Sequence, residues 1–163
     1  MPDMLVKLYD LPDDWGFISQ QAALGIVIRK AMSSEKALIL DWVRQEFSEA
    51  WVAETERALA NQPISCFIAV RQTEGQPNQL IGFACYDAAA LDMFGPTGVQ
   101  ESQRLRGTGK ALLLACLLDM KLKGYPYAII GWVGPAEFYA KAAGAVIIPD
   151  SEPSIWKTWL YKG

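Results

Sequence analysis

Val99-Gln100-Glu101-Ser102-Gln103-Arg104-Leu105-Arg106-Gly107-Thr108-Gly109-Lys110-Ala111-Leu112-Leu113 is the stretch on which the reading of this chain turns. The residues before it, 95–100, read as a strand interrupted by Pro96 and Gly98. The residues after it, 111–123, read as a strongly apolar helix that stops at Gly124. The two glycines therefore lie where a strand hands over to a helix. Glycine lets the backbone approach a ligand closely and turn its N–H groups outward. The start of the helix adds a partial positive charge, and Arg104, Arg106 and Lys110 add full ones. Such a loop suits a pyrophosphate.

Three kinds of pyrophosphate loop compete. A nucleoside-triphosphate loop needs GxxxxGK[ST]. Here Lys110 is followed by Ala111, and Arg104 stands where the first glycine belongs. A dinucleotide loop needs GxGxxG and an acidic residue about 20 positions later. The third glycine is missing, and the next strand ends at Gly131 without an acid. The third pattern, [QR]xxGx[GA], is met by Arg104-Leu105-Arg106-Gly107-Thr108-Gly109.

This third pattern resembles the CoA loop of the GCN5-related N-acetyltransferase family. The resemblance extends beyond the loop. Val99, five residues before Arg104, matches the apolar residue that ends the family's fourth strand, and Phe138-Tyr139-Ala140-Lys141 resembles its Phe-Tyr-x-Lys helix segment. The register Arg106-Gly107-Thr108-Gly109-Lys110-Ala111 also meets the short pattern. The Arg104 register is preferred because it keeps the spacing to Val99 and sets the apolar helix directly after Lys110. Two features depart from the family. After Tyr139 the chain runs Ala-Lys-Ala-Ala-Gly144-Ala145, one residue longer and without the usual aromatic. Trp132-Val133-Gly134 stands where an Asn is common, so the part that Asn often plays in positioning the cofactor is replaced or lost. The specific part of the resemblance covers residues 66–148, while residues 1–61 match only by element order.

The remaining pattern gives that order. Residues 4–9 alternate as a strand, 15–32 are helix-compatible, and 37–61 carry Leu38, Trp42, Phe47 and Trp51 at the spacing of one long amphipathic helix. Residues 65–71 and 80–87 form a hairpin around Gly75 and Pro77. After the glycine loop and its helix come a buried strand at 125–133, a short helix from Pro135 to Ala143, and closing strands at 146–148 and 156–161. The expected fold is α/β (α+β): a mixed, mostly antiparallel sheet flanked by helices, in the order β-α-α-β-β-β-α-β-α-β-β, with residues 1–163 as one domain.

Composition narrows the chemistry. Apolar residues make up 52% of the 163, enough for a packed core, and the net charge of −3 gives no overall pull toward nucleic acid or acidic membranes. No segment approaches the ~18 apolar residues of a membrane span, and the acidic start Met1-Pro2-Asp3 does not resemble a signal peptide, so a cytoplasmic location is expected. Cys66, Cys85 and Cys116 each sit in an apolar run and read as small buried hydrophobes. There is no histidine, which removes Ser-His-Asp and Cys-His catalysis and His-ligated zinc.

The resemblance implies acetyl transfer from acetyl-CoA (CoA) to an amine by direct attack. Val99, Arg104, Leu105, Arg106, Gly107, Thr108, Gly109 and Lys110 would bind the cosubstrate, and Tyr139 would act as general acid to the leaving thiolate. The backbone near Val99 would meet the thioester oxygen where its strand splays from the next, and no metal is implied. Asp87, Asp92 and Glu101 lie near strand ends as candidate bases or as solvated surface. Glu46, Glu49, Glu54 and Glu56 would bind a cationic acceptor or form a solvated helix face, and Trp42 and Trp51 would line an acceptor pocket or fill core. The expected partner is a small-molecule or peptide amine, with no nucleic acid and no membrane; a homodimer stays open. The competing reading is a non-catalytic CoA-binding regulatory module on the same fold.

Overall fold

The structure, a computed structural model, describes residues 1–160. It contains β1 (Met4–Lys7), α1 (Gly16–Ala22), β2 (Ile26–Lys30), α2 (Lys36–Glu46), α3 (Glu49–Ala60), β3 (Cys66–Arg71), β4 (Gln79–Tyr86) and β5 (Met93–Val99). These are followed by α4 (Thr108–Lys123), β6 (Tyr127–Ile130), α5 (Ala136–Ala143) and β7 (Val146–Ile147), with short 3-10 turns between. The strands form one mixed sheet in the order β2-β3-β4-β5-β6-β1-β7. Every neighbouring pair whose register is resolved is antiparallel except β5–β6, which is parallel.

Strand alternation sends side chains to two cores. Phe67, Ala69, Ile81, Ala84 and Tyr86 face the layer of α1, α4 and α5. Cys66, Ile68, Val70, Phe83 and Cys85 face α2 and α3. Helix α4 is apolar on nearly every side, with nine of its residues buried, so it lies across the sheet as a core helix rather than a surface one. All three cysteines are buried and unbridged, and burial pushes the thiols of Cys85 and Cys116 up. Among the described residues no helix is long and apolar enough to cross a membrane.

The fold class is as expected, but three boundaries differ. Residues 15–32 are not one helix. Gly25, at φ +78°, ends the turn after α1, and Ile26-Val27-Ile28 pair with β3 as an edge strand. The long helix at 37–61 breaks at Phe47, whose backbone leaves the helical region (φ −132°, ψ −103°). Its ring instead packs against Gly98, where a Cβ would lie 2.4 Å from the ring. Ser48 then restarts the helix as its cap, accepting from the Trp51 N–H at 3.3 Å.

The third difference is at the chain ends. From β2 onward the elements run β-α-α-β-β-β-α-β-α-β, which is the expected series without its last strand. The slot between β6 and β7 is taken by β1, so the N-terminus closes the sheet. The closing strand expected at 156–161 is not formed over its described part: residues Ser154–Thr158 form a 3-10 turn, and residue 161 lies outside the described residues.

Candidate functional site

The glycine loop is clamped from one side. Gln21, on α1 and 4% exposed, donates through Nε2 to the Arg106 carbonyl at 2.9 Å and accepts through Oε1 from the Thr108 hydroxyl at 2.7 Å. The chain reverses through two left-handed residues, Leu105 (φ +68°) and Gly107 (φ +77°). Gly107 caps α4 in a conformation that a Cβ disfavours. Leu105 adopts it with a fully exposed side chain, and such strain in a non-glycine residue is typical of ligand loops. Gly109 is different: it lies in the first turn of α4, and a Cβ there would meet only Val99 Cγ2, at 3.9 Å. The N–H groups of residues 106–110 have no backbone acceptor among the described residues, as the first turn of a helix requires. Arg106 and Lys110 are exposed beside them, while Arg104 turns back to donate from Nε to the Val99 carbonyl at 3.1 Å. Glycine freedom, free amides and cations thus meet at one place, and the bare face at Gly109 leaves room for a ligand against the backbone.

The strand that enters this loop parts from its neighbour. β5 and β6 pair only at Met93–Ile129 and Phe94–Ile130; beyond Phe94 β5 leaves β6, Gly95 and Pro96 fall in an irregularity of the β4–β5 ladder, and Thr97–Val99 pair with β4 alone. A cavity of about 490 Å³ fills the cleft. Its walls include Phe94–Thr97 of β5, Trp51 and Glu54 of α3, Trp132–Pro135 after β6, Tyr139 of α5 and, from the C-terminal segment, Trp156 and Trp159. Tyr139 is 8% exposed, with its ring at 5.1 Å from Phe138 and 6.4 Å from Phe94. Its hydroxyl has no protein partner among the described residues, and burial raises its pKa. A second cavity of about 420 Å³ lies between α1, Arg106, Lys110 and Ala142 on the loop's other flank.

Solved structures share this architecture. A GCN5-related glucosamine N-acetyltransferase region in a fungal multi-domain GH3 beta-N-acetylglucosaminidase matches with a TM-score of 0.70 at 15% identity, over 90% of this chain and 19% of that one. A GCN5-related N-acetyltransferase from Sphaerobacter thermophilus matches with 0.67 at 19% identity, over 90% of this chain and 48% of that one. One from Kribbella flavida matches with 0.56 at 16% identity, over 90% and 53%. The chain has the GCN5-related N-acetyltransferase fold. It spans about half of the length of the last two structures and a fifth of the first. No family model and no curated protein matches the sequence.

Within the GCN5-related fold, the acidic candidates separate by environment. Asp87 is buried and engaged: Oδ2 accepts from Lys123 Nζ at 3.0 Å and from the Tyr125 hydroxyl at 2.8 Å, and Oδ1 accepts from the Asp92 N–H at 2.7 Å. Asp92 follows at the start of β5, at the opposite end of that strand from the loop. Glu101 is exposed in the turn after β5. None of the three lines the cleft. Of the α2–α3 glutamates, Glu54 does: it is half-buried, burial raises its pKa, and it has no hydrogen-bond or ionic partner among the described residues. Glu49 pairs with Arg44 and Glu56 with Lys36. Trp51 combines both roles foreseen for it, packing tilted against Phe47 at 5.1 Å while lining the cleft; Trp42 is partly buried and packs on the core, 5.9 Å from Phe83.

Two parts of the site have no local signal in the sequence. Gln21 is an ordinary helix residue until α1 is laid beside α4. Trp132 stands where the family's Asn is common and has a left-handed backbone (φ +49°), its N–H held by Asp3 Oδ1 at 2.8 Å. Among the described residues no group of histidine, cysteine or acidic side chains is placed to hold a metal.

Proposed function

We propose that the chain is an N-acetyltransferase that takes acetyl-CoA as cosubstrate and acetylates an amine by direct attack. The observation that carries this reading is the junction of the loop with the cleft: unbonded amides of residues 106–110 sit at the end of β5, the strand whose far half stands open toward β6. The amides with Arg104, Arg106 and Lys110 would hold the pyrophosphate, with Val99, Leu105, Gly107, Thr108 and Gly109 shaping the approach. The unpaired edge of β5 between Gly95 and Val99 offers backbone donors to a thioester oxygen, whose charge develops as the amine attacks. Tyr139, neutral and with a free hydroxyl, donates a proton to the departing sulfur. The acceptor enters the aromatic end of the cleft.

Calorimetry with acetyl-CoA, NAD and ATP tests the cosubstrate. Tighter binding of NAD or ATP would overturn it. Thiol release over a panel of amines tests turnover. A protein that binds acetyl-CoA and releases no thiol with any amine is a binding module instead.

A further inference from the structure

The aromatic end of the cleft is built with unusual care. Trp132 stacks on Trp156 (5.5 Å, 27°), and both meet Trp159 edge-on at 6.4 and 6.3 Å. These tryptophans come from two segments, the turn after β6 and the C-terminal 3-10 turn. Asp3, nearly buried, ties the segments together: Oδ1 accepts from the Trp132 N–H and Oδ2 from the Ser154 hydroxyl, each at 2.8 Å. A tryptophan at φ +49° is strained, and such strain persists only where surrounding contacts enforce it. Here those contacts keep a broad indole face in the cavity.

The charge of the cavity is equally specific. Among the described residues Glu54 is the one carboxylate of the lining, and no lysine or arginine lines the cavity. The Met1 ammonium at its edge is taken by Glu152. Of the hydroxyls in the lining, Ser48 accepts from the Trp51 N–H and Thr97 donates to the Phe83 carbonyl, while that of Tyr139 has no protein partner among the described residues.

We propose that this cavity selects a primary amine joined by a short chain to an aromatic ring, with the ring against the tryptophan wall and the ammonium on Glu54. This rests on the acetyl-transfer reading. Flat indole faces contribute large apolar area and prefer offset or edge contact with another ring. An amino sugar would also stack, but it would bring several hydroxyls to a lining made mostly of apolar and aromatic side chains, and each one left unpaired costs roughly tenfold in binding. A polyamine would bring further ammonium groups to a lining with a single carboxylate among the described residues. Glu54 takes one proton from the bound ammonium and passes it to solvent. The neutral nitrogen forms the N–C bond as the C–S bond breaks, Tyr139 protonates the sulfur, and the nitrogen loses its second proton to reprotonate Tyr139. In sum, ammonium and thioester give amide, thiol and one proton.

The test uses 2-phenylethylamine, glucosamine and spermidine on the intact chain, with two readouts. Quenching of tryptophan fluorescence without acetyl-CoA reports on the cavity alone; thiol release reports on transfer. Expected are saturable quenching by 2-phenylethylamine and a kcat/KM at least 100-fold above that for the other two amines. Trp156→Ala should raise KM for 2-phenylethylamine tenfold or more, and Glu54→Gln should raise KM and lower kcat. Both variants should keep acetyl-CoA affinity within twofold. If Trp156→Ala does not fold, Trp156→Leu takes its place. No quenching by 2-phenylethylamine, or preference for glucosamine or spermidine, overturns the proposal. Absent acetyl-CoA binding with quenching intact would instead overturn the transferase reading and leave the cavity's ligand class standing.

Discussion

Gln21 and Thr108, 87 positions apart, share a buried hydrogen bond of 2.7 Å, and the same Gln21 amide holds the Arg106 carbonyl. One side chain thus fixes both sides of Gly107 and sets the direction in which the loop amides point. Gln21→Leu keeps the size but leaves the Thr108 hydroxyl unpaired, at a cost of about 1–3 kcal/mol. The expected result is acetyl-CoA affinity reduced tenfold or more by calorimetry, together with a lower Tm. Thr108→Val should show the same direction, and the double variant less than the sum of the two.

The two loop glycines should fail differently. Gly107→Ala places a Cβ on a left-handed residue and should lower stability by about 1 kcal/mol. At Gly109 the backbone is not left-handed and the Cβ has ordinary room. Gly109→Val should therefore weaken acetyl-CoA binding far more than it lowers Tm. Parallel melting curves and calorimetry separate the two, and equal effects at both positions would make Gly109 a structural glycine.

Asp87 and Asp92 bracket the turn between β4 and β5. Burial, and then the neighbouring Asp87 charge, push the Asp92 pKa up to about 6, and its Oδ1 is buried without a partner among the described residues. The sign follows: a carboxyl whose folded pKa is raised favours folding when protonated, and that contribution is lost as pH rises from about 4 through 6. Asp92→Asn removes the charge and tolerates the left-handed backbone at this position (φ +67°). It should raise Tm at pH 7.5 by roughly 2–4 °C, and the gain should vanish below pH 4. A Tm gain that is the same at both pH values would assign the effect to something other than this charge.

The loop and its neighbouring helix were legible in the sequence because their chemistry is local: glycines, cations and an apolar helix follow one another within 25 residues. The sheet between residues 65 and 131 was legible for the same reason. The ends were not. Ile26-Val27-Ile28 are β-branched, but only pairing with β3 decides strand over helix. Nothing in residues 4–7 says that they lie beside β6 rather than beside β2. Nor does Phe47 announce a break, since it fits the helical stripe, and the break comes from the space over Gly98. The cleft's carboxylate was one of four candidate glutamates on that segment. Geometry separates them, because ion pairs occupy Glu49 and Glu56, Glu46 is exposed and accepts from Gln100 Nε2 at 3.3 Å, and Glu54 lines the cleft unpaired.

Tyr139 carries the most direct test of mechanism. Its ring is fixed between Phe94 and Phe138, so Tyr139→Phe removes one hydroxyl and should leave packing and acetyl-CoA affinity nearly unchanged. Burial raises the pKa of the hydroxyl, so at neutral pH it is protonated and competent as an acid. General acid catalysis typically contributes 10²–10⁴-fold, and kcat of the variant should fall by a factor within that range at pH 7. Wild-type kcat in the variant would remove Tyr139 from the reaction and leave water as the proton donor. No histidine exists to replace it, and the hydroxyls of Tyr86 and Tyr125 are held by Asp119 and Asp87.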